Sequence, residues 1–335
     1  MTLLTITRIT CFFTFFSSLF TSILSNNFKP NQSSSAVLAF NDFIKNYSKI
    51  YEFTEYDLRF EIFKHNLNLI QTHNSQNHGW KMKINQYTDL TWEEFISTRR
   101  GTKPQLRTND IPTITKLYWN FSENLPEHLD WREKKVVNPV KNQEQCGSCW
   151  AFSTISTIES LVAIKTGTLY DLSEQQLVDC STSYGNQGCN GGLMDYGFQY
   201  SIDNKLCSES DYPYTQQDGT CNKECTGVVS ISGFLDVQSG NETALLLALL
   251  EQPVSVAIEA DQIGFQFYSS GIFDGECGTN LDHGVVLEGF GSENGKDYWL
   301  IRNSWGPDWG DKGYIKIVRG VNQCGVSLSA SVPLL

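Results

Sequence analysis

After its first 25 residues the sequence has no run apolar enough to span a bilayer, which excludes a protein threaded repeatedly through a membrane. Basic blocks are missing too. Against 37 Asp and Glu there are 25 Lys and Arg, and the net charge of −12 argues against nucleic acid or an anionic membrane surface as a partner. Histidine is scarce, with five in 335 residues, so few side chains are available as a base near neutral pH. Cysteine is absent from residues 12 to 145, although the chain carries ten. This gap divides the sequence into a cysteine-free front part and a cysteine-bearing body.

What is present begins with "MTLLTITRITCFFTFFSSLFTSILS", one basic residue followed by an apolar run diluted by hydroxyls. That pattern predicts a secretory leader over residues 1–25. Sequons at Asn31, Asn46, Asn120 and Asn241 fit the same route and make these four asparagines candidate glycosylation sites. With Cys11 in the leader, nine cysteines remain, an odd number. In an oxidising compartment eight can pair, and the ninth is either an intermolecular bridge or a reactive thiol.

Between residues 40 and 75, Phe43, Tyr47, Phe53, Phe60, Phe63, Leu67 and Ile70 recur at mostly helical spacing, which predicts two helices. Residues 97 to 124 lack periodicity and contain Pro104 and Pro112, which suits an exposed connector. In the body, residues 149 to 166 read as a helix with Lys165 in its last turn and Gly167 as its stop. Ser173 and Gln176 form a capping-box pattern for a second helix, and "GGLMDYGFQYSIDN" gives a third. After residue 225 strands dominate, in "VVSISGFLDV", "PVSVAIEA", "HGVVLEGFG", "DYWLIRNSW" and "GYIKIVRG". Helices first and strands later predict an α+β body in two halves, with a cleft between them.

The chemistry concentrates in "NQEQCGSCWAFS", residues 142 to 153. Cys146 and Cys149 are compatible with a redox pair, half a zinc site, a bridge, or one bridged and one nucleophilic cysteine. The segment before them is polar and broken by Pro139, unlike the strand that leads into a redox motif. A nucleophile needs a base, and only His283 lies inside the body; His65, His73 and His78 sit in the cysteine-free part and His128 beside the connector. Asn303, in "RNSWG", supplies an amide able to accept from an imidazole and hold its ring.

"CGSCW" followed at about 130 to 150 residues by His and Asn resembles the papain and cathepsin signature. The front part strengthens the likeness. Glu55, Arg59, Ile62, Phe63, Asn66, Ile70 and Asn74 match the ERFNIN helix of cathepsin L-like propeptides, and "KINQYTD" resembles the second propeptide motif, with Lys83 and Tyr87 where that motif has Gly and Phe. The resemblance implies a papain-like two-subdomain α+β fold, with a helical half, a β-barrel-like half and the active-site cleft between them. It implies a leader over 1–25, an inhibitory propeptide over 26–123 and a mature peptidase over 124–335, cut from its prosegment near residues 115 to 124.

By the same resemblance Cys149 is the nucleophile, His283 its ion-pair partner and proton donor, Asn303 the orienter of His283, and Gln143 an oxyanion donor. Trp305 is expected to cover the contact of His283 with Asn303. Gly191 and Gly192 are expected to hydrogen-bond an extended substrate, and Leu193, Met194, Ala257, Leu281, Gly284 and Ser329 to line an apolar P2 pocket that takes Leu, Phe or Val. The implied bridges are Cys146 with Cys189, Cys180 with Cys221, and Cys277 with Cys324. Cys207 and Cys225 fall outside that set and pair only by elimination, so exchange among Cys180, Cys207, Cys221 and Cys225 stays open. No cofactor or metal is implied. The expected partners are protein and peptide substrates, the chain's own propeptide as inhibitor and cystatin-type inhibitors, for a monomer in the secretory route, in a lysosome or acidic vacuole, or outside the cell. An inactive papain-like binding protein and a disulfide oxidoreductase using Cys146 and Cys149 are the alternatives.

Overall fold

The computed structural model describes residues 34–99, 101–102, 113–114 and 125–335. The expected leader, Asn31, Asn120 and the expected cleavage stretch at 115 to 124 lie outside the described residues. The chain forms two units, one ending at Lys49 and one running from Ile50 to Leu335. In the first, helix α1 (Ser34–Asn46) ends at the Asn46 sequon. It stacks the rings of Phe40 and Phe43 at 6.1 Å and sets Tyr47 5.2 Å from Phe43.

The second unit opens with α2 (Phe53–Ser75), strand β1 (Trp80–Met82) and α3 (Trp92–Arg99). The helical half of the body follows, with α4 (Cys149–Thr166), α5 (Glu174–Cys180) and α6 (Met194–Asp203). Gly167, at φ +78°, ends α4 in the left-handed conformation that a side chain disfavours. Fifteen successive residues of α4, Cys149 to Ala163, are buried, so it is a central helix with no solvent face. Its hydroxyls are satisfied internally: Thr157 Oγ1 donates to Ser153 O, and Ser153 Oγ donates to Val285 O on the neighbouring strand. Ser173 caps α5 by accepting from Gln176 N at 3.0 Å. The Gln176 side chain does not close the box; its oxygen takes Cys207 N–H instead.

The strand half is a ten-stranded sheet in the order β1, β6, β9, β8, β7, β5, β10, β4, β2, with β3 (Leu129–Asp130) paired to β7. Its members are β2 (Thr113–Ile114), β4 (Gly233–Val237), β5 (Val254–Ile258), β6 (Tyr268–Phe273), β7 (His283–Glu293), β8 (Lys296–Arg302), β9 (Tyr314–Val318) and β10 (Ala330–Leu334). The hydrogen-bonded path is open at β1 and β2, so the strand half curves without closing into a barrel. An Asn294–Gly295 turn, with both residues at positive φ, joins β7 to β8 as a hairpin. That hairpin fixes the site: β7 begins at His283 and β8 ends one residue before Asn303.

Two hydrophobic cores flank α4. Trp150, Ile155, Leu177 and Phe198 lie in the helical one, and Trp299, Trp305, Trp309 and Phe265 in the strand one. Trp80, Tyr87 and Phe95 from the front part of the chain complete the strand-half core. Strand-dominated expectation after residue 225 misses α7 (Glu242–Glu251), capped by the Asn241 side chain accepting from Ala244 N, and the short α8 (Ile263–Phe267). Among the described residues no helix is long and apolar enough to cross a membrane.

The structure joins Cys146 to Cys189, Cys180 to Cys221, Cys207 to Cys225 and Cys277 to Cys324. Among the described residues Cys149 is the free cysteine. The expected exposed connector starts later than residue 97, because Arg99, Gly101 and Thr102 are buried. The main chain of Gly101 and Thr102 is paired on both sides, to Asp282 O at 3.0 Å from each N–H and to Gly192 N at 2.6 Å from Gly101 O. Backbone pairing of this kind leaves no trace in side-chain periodicity.

Candidate active site

Cys149 is the first residue of α4, where the unpaired N–H groups and the helix dipole favour negative charge. Its sulfur is fully buried, accepts from Gly284 N–H at 3.3 Å and lies 3.6 Å from the Thr102 hydroxyl. Cys146 is held by Cys189, so the two cysteines of "CGSC" form no dithiol.

Register brings the base to this place. Ile258 faces His283 and Ala257 faces Gly284 across β5 and β7, and Gly284 is the residue that contacts the sulfur. Asn303 Oδ1 lies 2.7 Å from His283 Nε2 and also accepts from Ser304 N at 2.8 Å. An oxygen that accepts from both fixes the proton on Nε2 and leaves Nδ1 as the bare lone pair of the neutral ring. Nδ1 is buried with no hydrogen-bond partner. The Trp305 ring covers the pair, 4.7 Å from the His283 ring.

Burial dominates both titrations. It pushes the Cys149 thiol up to about 11, against the opposing hydrogen bonds from Gly284 N–H and Thr102. It pushes His283 down to about 4, against the Asn303 bond and the Arg99 main chain, with the Arg99 guanidinium adding to the fall. A depressed thiol is what a free site at a helix start predicts. The covered site holds the reverse, a neutral thiol beside a neutral imidazole, and no hydrogen bond joins the two.

The cover comes from the chain itself. A Cβ on Gly101 would lie 2.0 Å from Gly147 O and 3.0 Å from the Cys149 sulfur, so only a bare backbone fits there. Thr102 Oγ1 and Met194 Sδ lie 3.1 and 3.2 Å from the position a Gly284 Cβ would take, which puts Thr102 against the expected P2 pocket. Phe95 meets Trp305 edge-on at 5.1 Å, and Gln86 Nε2 and Tyr87 Oη both donate to Trp305 O.

Of the other expected site residues, Met194, Ala257 and Leu281 converge in the helical-half core, and Ser329 O accepts from Ala257 N at 2.8 Å. Leu193 is buried just before α6, with its N–H on Asn186 Oδ1. Gly191, at φ +109°, and Gly192 form the turn against which Gly101 lies; a Cβ on Gly192 would meet Asn186 Oδ1 at 2.2 Å. Gln143 is fully buried, its Nε2 donating to Cys146 O at 2.9 Å and its Oε1 accepting from Ser304 Oγ at 2.7 Å. Ser304 thereby touches both Asn303 and Gln143, a link unread in the sequence although "RNSWG" contains it. Thr102 and Arg99 were likewise unread, since nothing local marks a polar side chain as buried.

Residues 125–334 match the papain family cysteine protease family, and residues 40–95 the cathepsin propeptide inhibitor domain. The chain is 50% identical over 287 residues to the probable cysteine protease RD21B of Arabidopsis thaliana, covering 84% of this chain and 61% of that one. It is 46% identical over 303 residues to the cysteine protease XCP2 of the same plant, covering 88% of this chain and 85% of that one. The chain thus spans about three fifths of the length of several of the relatives it matches. The solved structure of digestive procathepsin L 3 from Tenebrio molitor larval midgut is 40% identical with a TM-score of 0.82, over 90% of this chain and 100% of that one. The ragweed pollen allergen Amb a 11, a cysteine protease solved in its proform, is 36% identical with a TM-score of 0.83, over 90% and 96%. By sequence and by fold, the chain belongs to the papain family of cysteine proteases.

Proposed function

We propose that this chain is the zymogen of a cysteine endopeptidase, with a leader over residues 1–25, an inhibitory prosegment over 26–123 and a peptidase over 124–335. The observation that carries the reading is the free thiol at the start of α4, alone among the described cysteines in being unbridged, beside a histidine whose tautomer is set by Asn303, under a lid of the chain's own residues. Alternatives that need a Cys146–Cys149 dithiol have no support, since Cys146 is bridged.

Once the cover leaves, water and the helix start lower the thiol, and its proton passes to Nδ1 of His283. The Cys149 thiolate attacks the peptide carbonyl carbon. The resulting oxyanion accepts from Cys149 N–H and from the second N–H of Gln143 Nε2, the first being committed to Cys146 O. The His283 imidazolium then gives its proton to the departing amine, leaving a thioester on Cys149. Water attacks that thioester as His283 takes its proton, and the acid product and thiol are released. Asn303 holds the ring in plane throughout, and Trp305 keeps water from their bond.

Gly191 and Gly192 bind the substrate main chain in place of Gly101. Met194, Ala257, Leu281, Gly284, Leu193 and Ser329 form an apolar, uncharged P2 pocket that selects Leu, Phe or Val. The secretory route, with an acidic vacuole or lysosome or the extracellular space as destination, fits the leader and the four sequons. A monomer open to cystatin-type inhibitors fits a cleft of this kind.

The test is to incubate the precursor at about pH 4.5, sequence the new N-terminus and titrate with an epoxide-type thiol inactivator. Cleavage near residues 115 to 124 and a single adduct on Cys149 are expected. A chain that stays full-length and silent, or an adduct elsewhere, overturns the reading. Gln143→Ala is expected to lower kcat on the order of a hundredfold, with a smaller change in KM.

A further inference from the structure

We infer that Tyr214, in the loop after α6, is a positioning residue that sets the separation of the two oxyanion donors; the inference rests on the peptidase reading above. Its hydroxyl donates to Gln143 O at 2.8 Å and lies 2.6 Å from Ser148 Oγ. A phenol has one hydrogen. Since it goes to Gln143 O, which can only accept, the contact with Ser148 is a donation from Ser148. The bonds therefore run one way, from Ser148 Oγ through Tyr214 Oη to Gln143 O. They tie the residue that bears one oxyanion donor to the residue that immediately precedes the other, Cys149.

A second observation points the same way. Ser148 occupies the N-cap of α4, where a serine side chain ordinarily accepts from the first turn, yet it makes no such bond. Its hydroxyl is turned to Tyr214. The tyrosine in turn is seated on the nucleophile's own helix, its ring edge-on to Phe152 at 5.0 Å. Its loop is pinned by Glu209, which accepts Tyr214 N–H at 2.8 Å, and by Gln175, which accepts Thr215 N–H at 2.9 Å. Burial holds the phenol far above its ordinary range, so it remains a donor at every pH at which the site works. The disulfide of Cys146 and the Gln143 Nε2 bond to Cys146 O close the loop between the two donors. Ser148 Oγ also lies 3.5 Å from Cys146 O, so Gln143 and Ser148 share that carbonyl; the Tyr214 link, at 2.6 and 2.8 Å, is the shorter contact for the Ser148 hydroxyl.

Tyr214→Phe keeps the ring and deletes the link. The experiment uses the full chain processed at acidic pH, with added pepsin where self-processing is slow, and active sites counted by the epoxide. Expected are a fall in kcat of about tenfold, with KM within about twofold, because a misplaced donor is felt by the transition state more than by the bound substrate. The pH profile of Cys149 alkylation by iodoacetamide, which uses no oxyanion donor, is expected to stay unchanged. In a Gln143→Ala background the effect of Tyr214→Phe is expected to shrink to less than about threefold, since the donor it places is gone. Ser148→Ala, which cuts the link at its other end, is expected to reproduce the kcat loss. An unchanged kcat, a full loss that persists without Gln143, or an alkylation profile that moves in step with kcat overturns the inference. Failure of the parent reading looks different: the unsubstituted chain then gives no epoxide adduct on Cys149 and no hydrolysis to compare.

Discussion

At the residue scale, the inactive state is a statement about protons. The Cys149 thiol is held up to about 11 and His283 down to about 4 by the same burial, and the residues that bury them include Arg99, Gly101 and Thr102. In the unprocessed chain, iodoacetamide labelling of Cys149 is therefore expected to be slow from pH 5 to 9 and to rise only toward 11. After processing it is expected to be fast at acidic pH. Fast neutral labelling of the intact precursor would mean that the thiol is neither dry nor neutral. Gly101→Ala tests the cover directly. Its Cβ cannot stand 2.0 Å from Gly147 O, so the segment must back out of the cleft, at about 1–3 kcal/mol for such overpacking. Precursor carrying it is expected to label roughly 5- to 150-fold faster at neutral pH. An unchanged rate would show that residues 101–102 do not hold the cleft shut.

At the element scale, α2 acts as a bracket that folds the following segment onto the body. Arg59 bridges Glu55 and Glu94 at 2.8 Å each, while Asn66 Nδ2 donates to Thr88 O and Leu90 O and Asn74 donates to Met82 O. These polar residues shape β1 and the turn after it, and β1 then pairs with β6 of the body. Lys83 and Tyr87, the two departures from the second propeptide motif, each reach the body: Lys83 Nζ donates to Gly310 O at 2.7 Å and Tyr87 Oη to Trp305 O at 3.0 Å. Asn66→Ala deletes two hydrogen bonds from a buried amide, a loss of about 1–3 kcal/mol. Precursor with this change is expected to expose its thiol at a higher pH than the parent, read by pulses of iodoacetamide along a pH series; an identical midpoint would separate the bracket from the cover. The extent to which all this is legible in the sequence follows from the range of each bond. Helix α4 is readable from Lys165 and Gly167, and α5 from Ser173, because caps act within a turn. The Cys149, His283 and Asn303 set is readable because a nucleophile, a base and an orienter are rare residue types placed at known intervals. Thr102, Ser304 and Tyr214 are silent, since each works through a backbone or hydroxyl partner that only the fold brings near. Helix α7 is silent for another reason: "ETALLLALLE" is apolar nearly throughout, so it shows no face to a periodicity reading.

At the scale of the whole molecule, acid release needs a source of pH dependence that the catalytic pair cannot supply. Beside the fixed Nε2 proton, the pair carries one transferable proton: on sulfur when closed, on Nδ1 of the imidazole when open. Opening moves that proton without taking one up, so acid does not favour it through Cys149 and His283. In the bracket, Glu94 and His73 are acid-side groups whose titration folding shifts. Burial pushes Glu94 up, but its hydrogen bond and ion pair with Arg59 outweigh this and leave it below the usual carboxylate range. A lowered carboxylate stabilises the folded form above its unfolded value and loses that contribution as pH falls through the folded one. His73 is pushed down by burial against its bond to Trp80 O, with His78 and Lys81 adding to the fall. A lowered histidine contributes fully above about 6.5, and its contribution fades as pH drops below that. Its ring stacks on His78 at 4.3 Å and meets Trp80 at a tilt at 4.0 Å, and Trp80 packs on Phe273 of the body at 4.7 Å. Asp274 and Glu276 line the same groove, with Asp274 paired to Lys296. Acid thus charges His73 at the point where β1 is anchored. His73→Phe keeps a ring against His78 and removes the charge together with the 3.2 Å bond to Trp80 O; a midpoint of thiol exposure that moves to lower pH by several tenths of a unit, against the loosening that the lost bond brings, is the expected outcome. The remaining transition, carried by Glu94, is expected to lie below the usual carboxylate value. If the midpoint of His73→Phe coincides with that of the parent, the histidine stack is not a sensor and the carboxylates alone carry the acid response.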